Sequence, residues 1–149
     1  MKKLLLILVL TLFFTNSYAQ TPKDQIKTFF KTYEDKGFDK AIDDLFLTNK
    51  WIADIKSSQD NIKFQFSSLG ALLGNYYGYE LLTAQRTGTC YEYYTYLVKY
   101  ERQPIRFHFS FYEVNGKWIF QNFKYEDKFA STMEESALIN CIVDIIDEE

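Results

Sequence analysis

Asn115-Gly116 stands between two runs in which side-chain character alternates, Ile105 to Val114 and Lys117 to Glu126. Both turn residues tolerate positive φ, so a tight two-residue hairpin is expected there. Such a turn sets a register in which Val114 opposes Lys117, Glu113 opposes Trp118 and Phe111 opposes Phe120. The register sorts the faces, because successive strand side chains point to opposite sides and a one-residue slip would exchange them. One face then carries Ile105, Phe107, Phe109, Phe111, Trp118 and Phe120. The other carries Arg106, His108, Ser110 and Tyr112 beside Gln121, Phe123 and Tyr125.

The same texture extends upstream. From Tyr76 to Tyr125, 16 of 50 residues are aromatic, against 19% in the whole chain. Tyr79 to Arg86 and Cys90 to Glu101 read as two further strands, and a turn at Arg102-Gln103 adds Tyr94, Tyr96, Val98 and Tyr100 to the apolar face. Pro104 is tolerated at the start of the strand that follows.

Before Gly78 the period is helical. Thr21-Pro22 opens a first helix, since Thr21 can cap and the missing N–H of Pro22 would be unpaired there in any case. Ile26, Phe29, Phe30 and Tyr33 line that helix, and Gly37 stops it. Asp39 to Phe46 predicts a second. Ser58 or Asp60 caps a third, in which Ile62, Phe66, Leu69, Leu73 and Tyr76 step by four and three up to Gly78. Gly70 and Gly74 inside it are expected to thin one face for close approach by the sheet. Three N-terminal helices packed on a curved four-stranded antiparallel sheet is an α+β architecture. No repeat or linker divides it.

The two ends read differently. Lys2 and Lys3, an apolar run from Leu4 to Phe14 and the small-residue site Ser17-Tyr18-Ala19 have the layout of a signal peptide, with cleavage expected after Ala19. That predicts export to the periplasm or medium, a domain over 20–128 and no membrane span in the mature chain, the apolar run being too short to cross a bilayer. In the tail, 129–149, Ser131/Thr132 with Glu134/Glu135 resembles a capping box. Ser136, Asn140, Asp144 and Asp147 make a polar stripe beside Leu138, Ile139, Ile142, Val143, Ile145 and Ile146, so a C-terminal helix is expected. Such a helix could also plug the open end of the domain.

Without the leader, 15 basic side chains face 20 acidic ones, a net charge of −5. That is a poor footprint for nucleic acid, which requires clustered positive charge. Cys90 and Cys141 allow either a disulfide in an oxidising compartment or two buried thiols acting as small apolar groups. With a single histidine in the chain, no metal cluster or cofactor is expected.

Three helices followed by long antiparallel strands, a glycine-ended third helix running into Tyr79-Glu80-Leu81-Leu82, and a closing Asn115–Ile119 hairpin together resemble the nuclear-transport-factor-2-like superfamily, the cystatin-like α+β cone. The resemblance covers about residues 22–127. It implies a sheet wrapped around helices, a cavity at the open end of the cone and dimerisation through the outer face of the sheet. The superfamily includes ketosteroid isomerases, dehydratases, protein-binding transport factors and exported proteins of unassigned role.

No family catalytic motif matches residue by residue. The candidates are therefore individual side chains. His108 is expected to be a half-exposed sheet histidine bonded to a nearby Tyr rather than a general base. Arg106 would discourage its protonation, and itself is expected to stack on a Tyr or pair with an acid. Glu92, on the aromatic face, becomes a base if buried, or a solvated strand-end residue with Glu113 opposite. Tyr112 is a further candidate beside them, and Tyr91, Tyr93, Tyr94, Tyr96 and Tyr100 either line a pocket for an apolar or carbohydrate-like ligand or pack across strands. The leading expectation is a non-enzymatic module that binds a small apolar ligand or a protein through its aromatic sheet, as a homodimer. The alternative is a small isomerase or lyase with its site in the cone.

Overall fold

The computed structural model describes residues 20–128. The expected leader, the expected C-terminal helix and Cys141 lie outside them. Three helices, α1 (Pro22–Lys36), α2 (Phe38–Leu47) and α3 (Lys56–Leu73), precede strands β1 (Tyr76–Thr87), β2 (Tyr91–Tyr100), β3 (Ile105–Val114) and β4 (Lys117–Glu126). The strands form one antiparallel sheet in chain order, so the chain has the expected α+β architecture.

Local chemistry explains the helix ends. The Thr21 hydroxyl accepts from the Asp24 N–H and the Asp24 carboxylate accepts from the Thr21 N–H, both at 3.2 Å. This reciprocal box starts α1, and Gly37 at φ 87° ends it. The third helix departs from expectation at both ends. It begins at Lys56, ahead of Ser58, and stops at Leu73, where Gly74 turns the chain at φ 77°. Tyr76 therefore belongs to β1, where it packs edge-on to Tyr33 at 5.0 Å and to Tyr100 at 5.9 Å. These aromatic contacts override the helical spacing that had included it. Gly70 has nothing within 4 Å of a built Cβ, so it thins no face for the sheet; at Gly74 that position lies 2.9 Å from Cβ of Glu101. Close approach is thus made by a loop side chain.

The β3–β4 hairpin has the expected register from Val114↔Lys117 to Phe111↔Phe120. Asn115 at φ 51° and Gly116 at φ 73° supply its two positive-φ residues. The β2–β3 connection is wider than a two-residue turn, with Val98 opposite Ile105. The faces are unchanged, because a shift of two residues preserves side-chain parity.

Between β3 and β4 parity fails once, in β4. Ser110 pairs with Asn122 and Phe111 with Phe120, which leaves Gln121 unpaired as a β-bulge. Phe123 and Tyr125, expected on the outer face beside Arg106 and His108, consequently turn inward opposite Phe109 and Phe107. They complete a core in which Phe30, Phe107, Phe109, Phe111 and Phe120 are wholly buried and Phe123 nearly so. Phe29 of α1 meets Phe109 at 5.1 Å and Phe123 at 5.7 Å. Phe30 stacks on Tyr79 at 3.6 Å, and Phe38 of α2 stacks on Phe66 of α3 at 3.7 Å.

Two amide side chains fasten the helical layer to β4. Gln25 of α1 donates to the Trp118 carbonyl at 3.1 Å, and buried Asn49, just after α2, donates to the Phe120 carbonyl at 2.6 Å. They satisfy outward-facing acceptors of an edge strand.

The bulge is a matter of residue count rather than side chain. Deleting Gln121 should turn Phe123 and Tyr125 into solvent and abolish the cooperative thermal transition followed by circular dichroism. Gln121→Ala should stay within about 1 kcal/mol of the parent. A deletion variant that melts like the parent would contradict the assignment.

Candidate functional site

The seven side chains singled out from the sequence do not form one site. Tyr94, Tyr96 and Tyr100 point inward with Glu92, while Arg106, His108 and Tyr112 stand on the outer face.

Tyr96 is a core residue, packed on Phe30, Tyr79 and Phe109. Tyr100 shares a hydrogen bond of 2.5 Å between hydroxyls with Tyr33. Burial pushes the Tyr100 phenol far up, with the Tyr33 oxygen adding to the effect. Both residues are half-buried and their hydroxyls have each other as partner, which is a structural arrangement.

Near the β1–β2 turn, on the inner face, Tyr94 donates to Glu92 Oε2 at 2.5 Å. Glu92 does not face Glu113, as expected, but Phe111 on one side and Arg86 on the other. Arg86 Nε lies 3.7 Å from the second carboxylate oxygen. The Arg86 guanidinium also sits 5.6 Å from the Trp118 ring centroid and donates to the Thr89 carbonyl. Burial raises the Tyr94 phenol, and hydrogen bonding to the Glu92 carboxylate raises it further. Both oxygens of Glu92 are therefore engaged, one by a phenol that keeps its proton and one by a cation. Arg86 escaped the sequence reading because no turn was assigned between the first two strands. Gly88, at φ 60°, is the residue that could have marked that turn and placed Arg86 across from Glu92.

On the outer face Glu126 gathers three cationic or polar neighbours. Arg106 Nη2 contacts its Oε2 at 2.5 Å and His108 Nε2 stands 3.5 Å from the same oxygen. Lys124 pairs with Oε1. The Lys124 hydrogen bond holds the Glu126 carboxyl below its usual value, and the carboxylate in turn raises Lys124. His108 is buried, with 7% of its surface exposed, rather than half-exposed. Its partner is Thr95, directly opposite in the ladder, with Oγ1 3.0 Å from Nδ1. Tyr93 stacks on the ring at 5.6 Å instead of bonding to it. Burial holds the imidazole below its ordinary value, outweighing the Glu126 carboxylate, and Arg106 and Lys124 lower it further. Arg106 pairs with an acid, one of its two expected roles. Further along, Tyr112 lies opposite Tyr91, and the two are 40% and 38% exposed.

Cys90 is half-buried at the start of β2, and its carbonyl accepts from the Glu113 N–H at 2.7 Å. Among the described residues no His, Cys, Asp or Glu side chains group so as to hold a metal ion, and no helix is long and apolar enough to cross a membrane.

No family model, curated protein or solved structure matches the chain. What the site can do therefore rests on its own geometry.

Two outcomes follow. Tyr33→Phe or Tyr100→Phe should each cost about 1–2 kcal/mol in urea denaturation, because each strands the other hydroxyl. The double variant should cost less than the two singles added together; strict additivity would refute the pairing.

The second concerns pH. An unfolded histidine titrates near 6.5 and the folded His108 lower, so the unfolded chain binds that proton first. The stability it contributes is complete above about 6.5 and falls as pH drops through the lowered folded value. The parent should lose stability against His108→Gln between about pH 7.5 and 5. Parallel stability curves would exclude a buried neutral imidazole. Below that window Glu126 acts in the same direction, since its lowered carboxyl stabilises the fold only while ionised.

Proposed function

We propose that this chain is an exported nuclear-transport-factor-2-like domain that binds protein through the outer face of its sheet, pairing first with a second copy of itself. The observation that carries this reading is the cross-strand pair Tyr91 and Tyr112, both more than a third exposed on the face turned away from the helices. Half-buried Tyr93 adjoins them, and the ion-paired Arg106, Lys124 and Glu126 provide a polar border. Aromatic side chains with a polar rim are the composition of protein interfaces. The filled cone argues in the same direction: beneath Glu92, Phe111 and Phe120 are wholly buried and occupy the space an apolar ligand would need. The leader pattern of residues 1–19 supports export.

The enzymatic alternative is favoured by one contact, the Tyr94 hydroxyl on Glu92. It is opposed by Arg86, which holds that carboxylate as a charged partner rather than leaving it to accept a substrate proton.

Sedimentation and native mass spectrometry of the mature chain provide the test. A dimer is expected, and Tyr91→Lys with Tyr112→Lys should weaken it at least tenfold, the scale of losing one buried aromatic anchor. A parent that stays monomeric, or a dimer indifferent to both substitutions, would overturn the proposal. A retained small molecule lost on Tyr94→Phe would transfer the function to the cone.

A further inference from the structure

Gln25 of α1 is 5% exposed, yet only half of its side-chain amide is used. Its Nε2 donates to the Trp118 carbonyl at 3.1 Å and to the Gln20 carbonyl at 3.5 Å. Two carbonyls on the nitrogen fix which way the amide points, so Oε1 is left as a buried acceptor without a donor. Such an orphan is rare in a folded chain and asks for a donor close by. Gln20 is the neighbour on that side. It is exposed, precedes the first turn of α1, and lines a crevice of about 40 Å3 with Gln25, Thr28 and Asp44. Its own side-chain amide makes no hydrogen bond among the described residues.

We propose that Gln20 closes to a pyroglutamate lactam at the mature N-terminus, with the lactam N–H as the donor to Gln25 Oε1. Cleavage after Ala19, the export reading on which this rests, makes Gln20 the first residue of the mature chain. The closure then needs no partner. The lone pair of the α-amine attacks the side-chain amide carbon, Cδ, and a C–N bond forms. The bond from Cδ to Nε2 breaks, and that nitrogen leaves as ammonia with a proton given up by the attacking amine. Nothing is oxidised or reduced, and no co-reactant is consumed. The fold favours the closed form in three ways. The Gln20 amide is free to turn back on its own amine. Thr21 is already held by Asp24, through its N–H at 3.2 Å and its hydroxyl at 2.7 Å, so closure at residue 20 disturbs no bond of the capping box. An open α-ammonium would stand at the positive end of α1 with Lys23 and Lys27 in the turns that follow, and the lactam removes that charge. The N–H and C=O of one extended residue point the same way, as they do in a β ladder. With its carbonyl on Gln25 Nε2, an extended residue 20 therefore presents its N–H to Gln25 Oε1.

Intact mass spectrometry of the mature protein recovered from a secreting host tests the closure. The expected mass is that of residues 20–149 less one ammonia. A chain that starts at another residue would overturn the cleavage reading and the proposal with it. A chain that starts at Gln20 and keeps its ammonia after long incubation at mildly alkaline pH would overturn the proposal alone. Thermal melting tests the bond. Gln20→Asn keeps an amide but would have to close a strained four-membered ring, so it stays open. The parent should melt above it by about 3 °C or more, the scale of one hydrogen bond in a domain of this size. That gap should vanish against Gln25→Met, which keeps the length of the side chain and removes the acceptor. Equal midpoints for the parent and Gln20→Asn, or a gap that persists against Gln25→Met, would refute the bond to Gln25.

Discussion

Gln121 is one residue too many for its ladder, and the packing of the whole sheet depends on it. A strand can bury only every second side chain, so β4 without an interruption would present Phe120 inward and Phe123 and Tyr125 outward. The bulge resets the count between Ser110 and Phe111 on the opposing strand. Both halves of β4 then feed the same core, and Phe29 of α1 can reach Phe109 and Phe123 together. Burying Phe123 is worth of the order of 2 kcal/mol in transfer terms, and partly burying Tyr125 adds to it, whereas the bulge gives up local pairing at a single residue. The balance favours the bulge, and increased twist follows from it.

With the aromatic surplus committed inward, the outer face is left to a different chemistry. Glu126 stands among Arg106, Lys124 and His108, while Tyr91 and Tyr112 remain in water a few residues along the same strands. On the proposed pairing face this charged border would discriminate between partners, because a wrong surface must desolvate Glu126 and its cations without returning their interactions. Burial holds the His108 imidazole below its ordinary value inside this border, and Arg106 and Lys124 lower it further.

Much of this architecture can be read from residues in order. Asn115-Gly116 carries the hairpin register, Thr21-Pro22 the start of α1, and the change of period after the helices the α+β order. The width of the β2–β3 connection was misjudged by two residues without consequence, since parity survived. What escaped were features decided by tertiary contact. Nothing local to Gln121 announces a bulge; only the competition for Phe123 and Tyr125 requires it. Tyr76 continues a helical spacing in the sequence but is held in β1 by Tyr33 and Tyr100. Arg86 meets Glu92 through a turn whose only local mark is Gly88. The candidate site was legible as a set of residue types and not as a place, because Glu92 and His108 belong to opposite faces of one strand pair.

The two amide clamps on β4 make the borders of the sheet unequal. Gln25 and Asn49 occupy the Trp118 and Phe120 carbonyls, which an incoming strand would need as acceptors. On the other border, β1 presents twelve residues, most of them exposed. Lateral growth beside Trp118–Phe120 thus requires both amides to be displaced first, a local barrier to edge-to-edge chaining of copies at that stretch of β4.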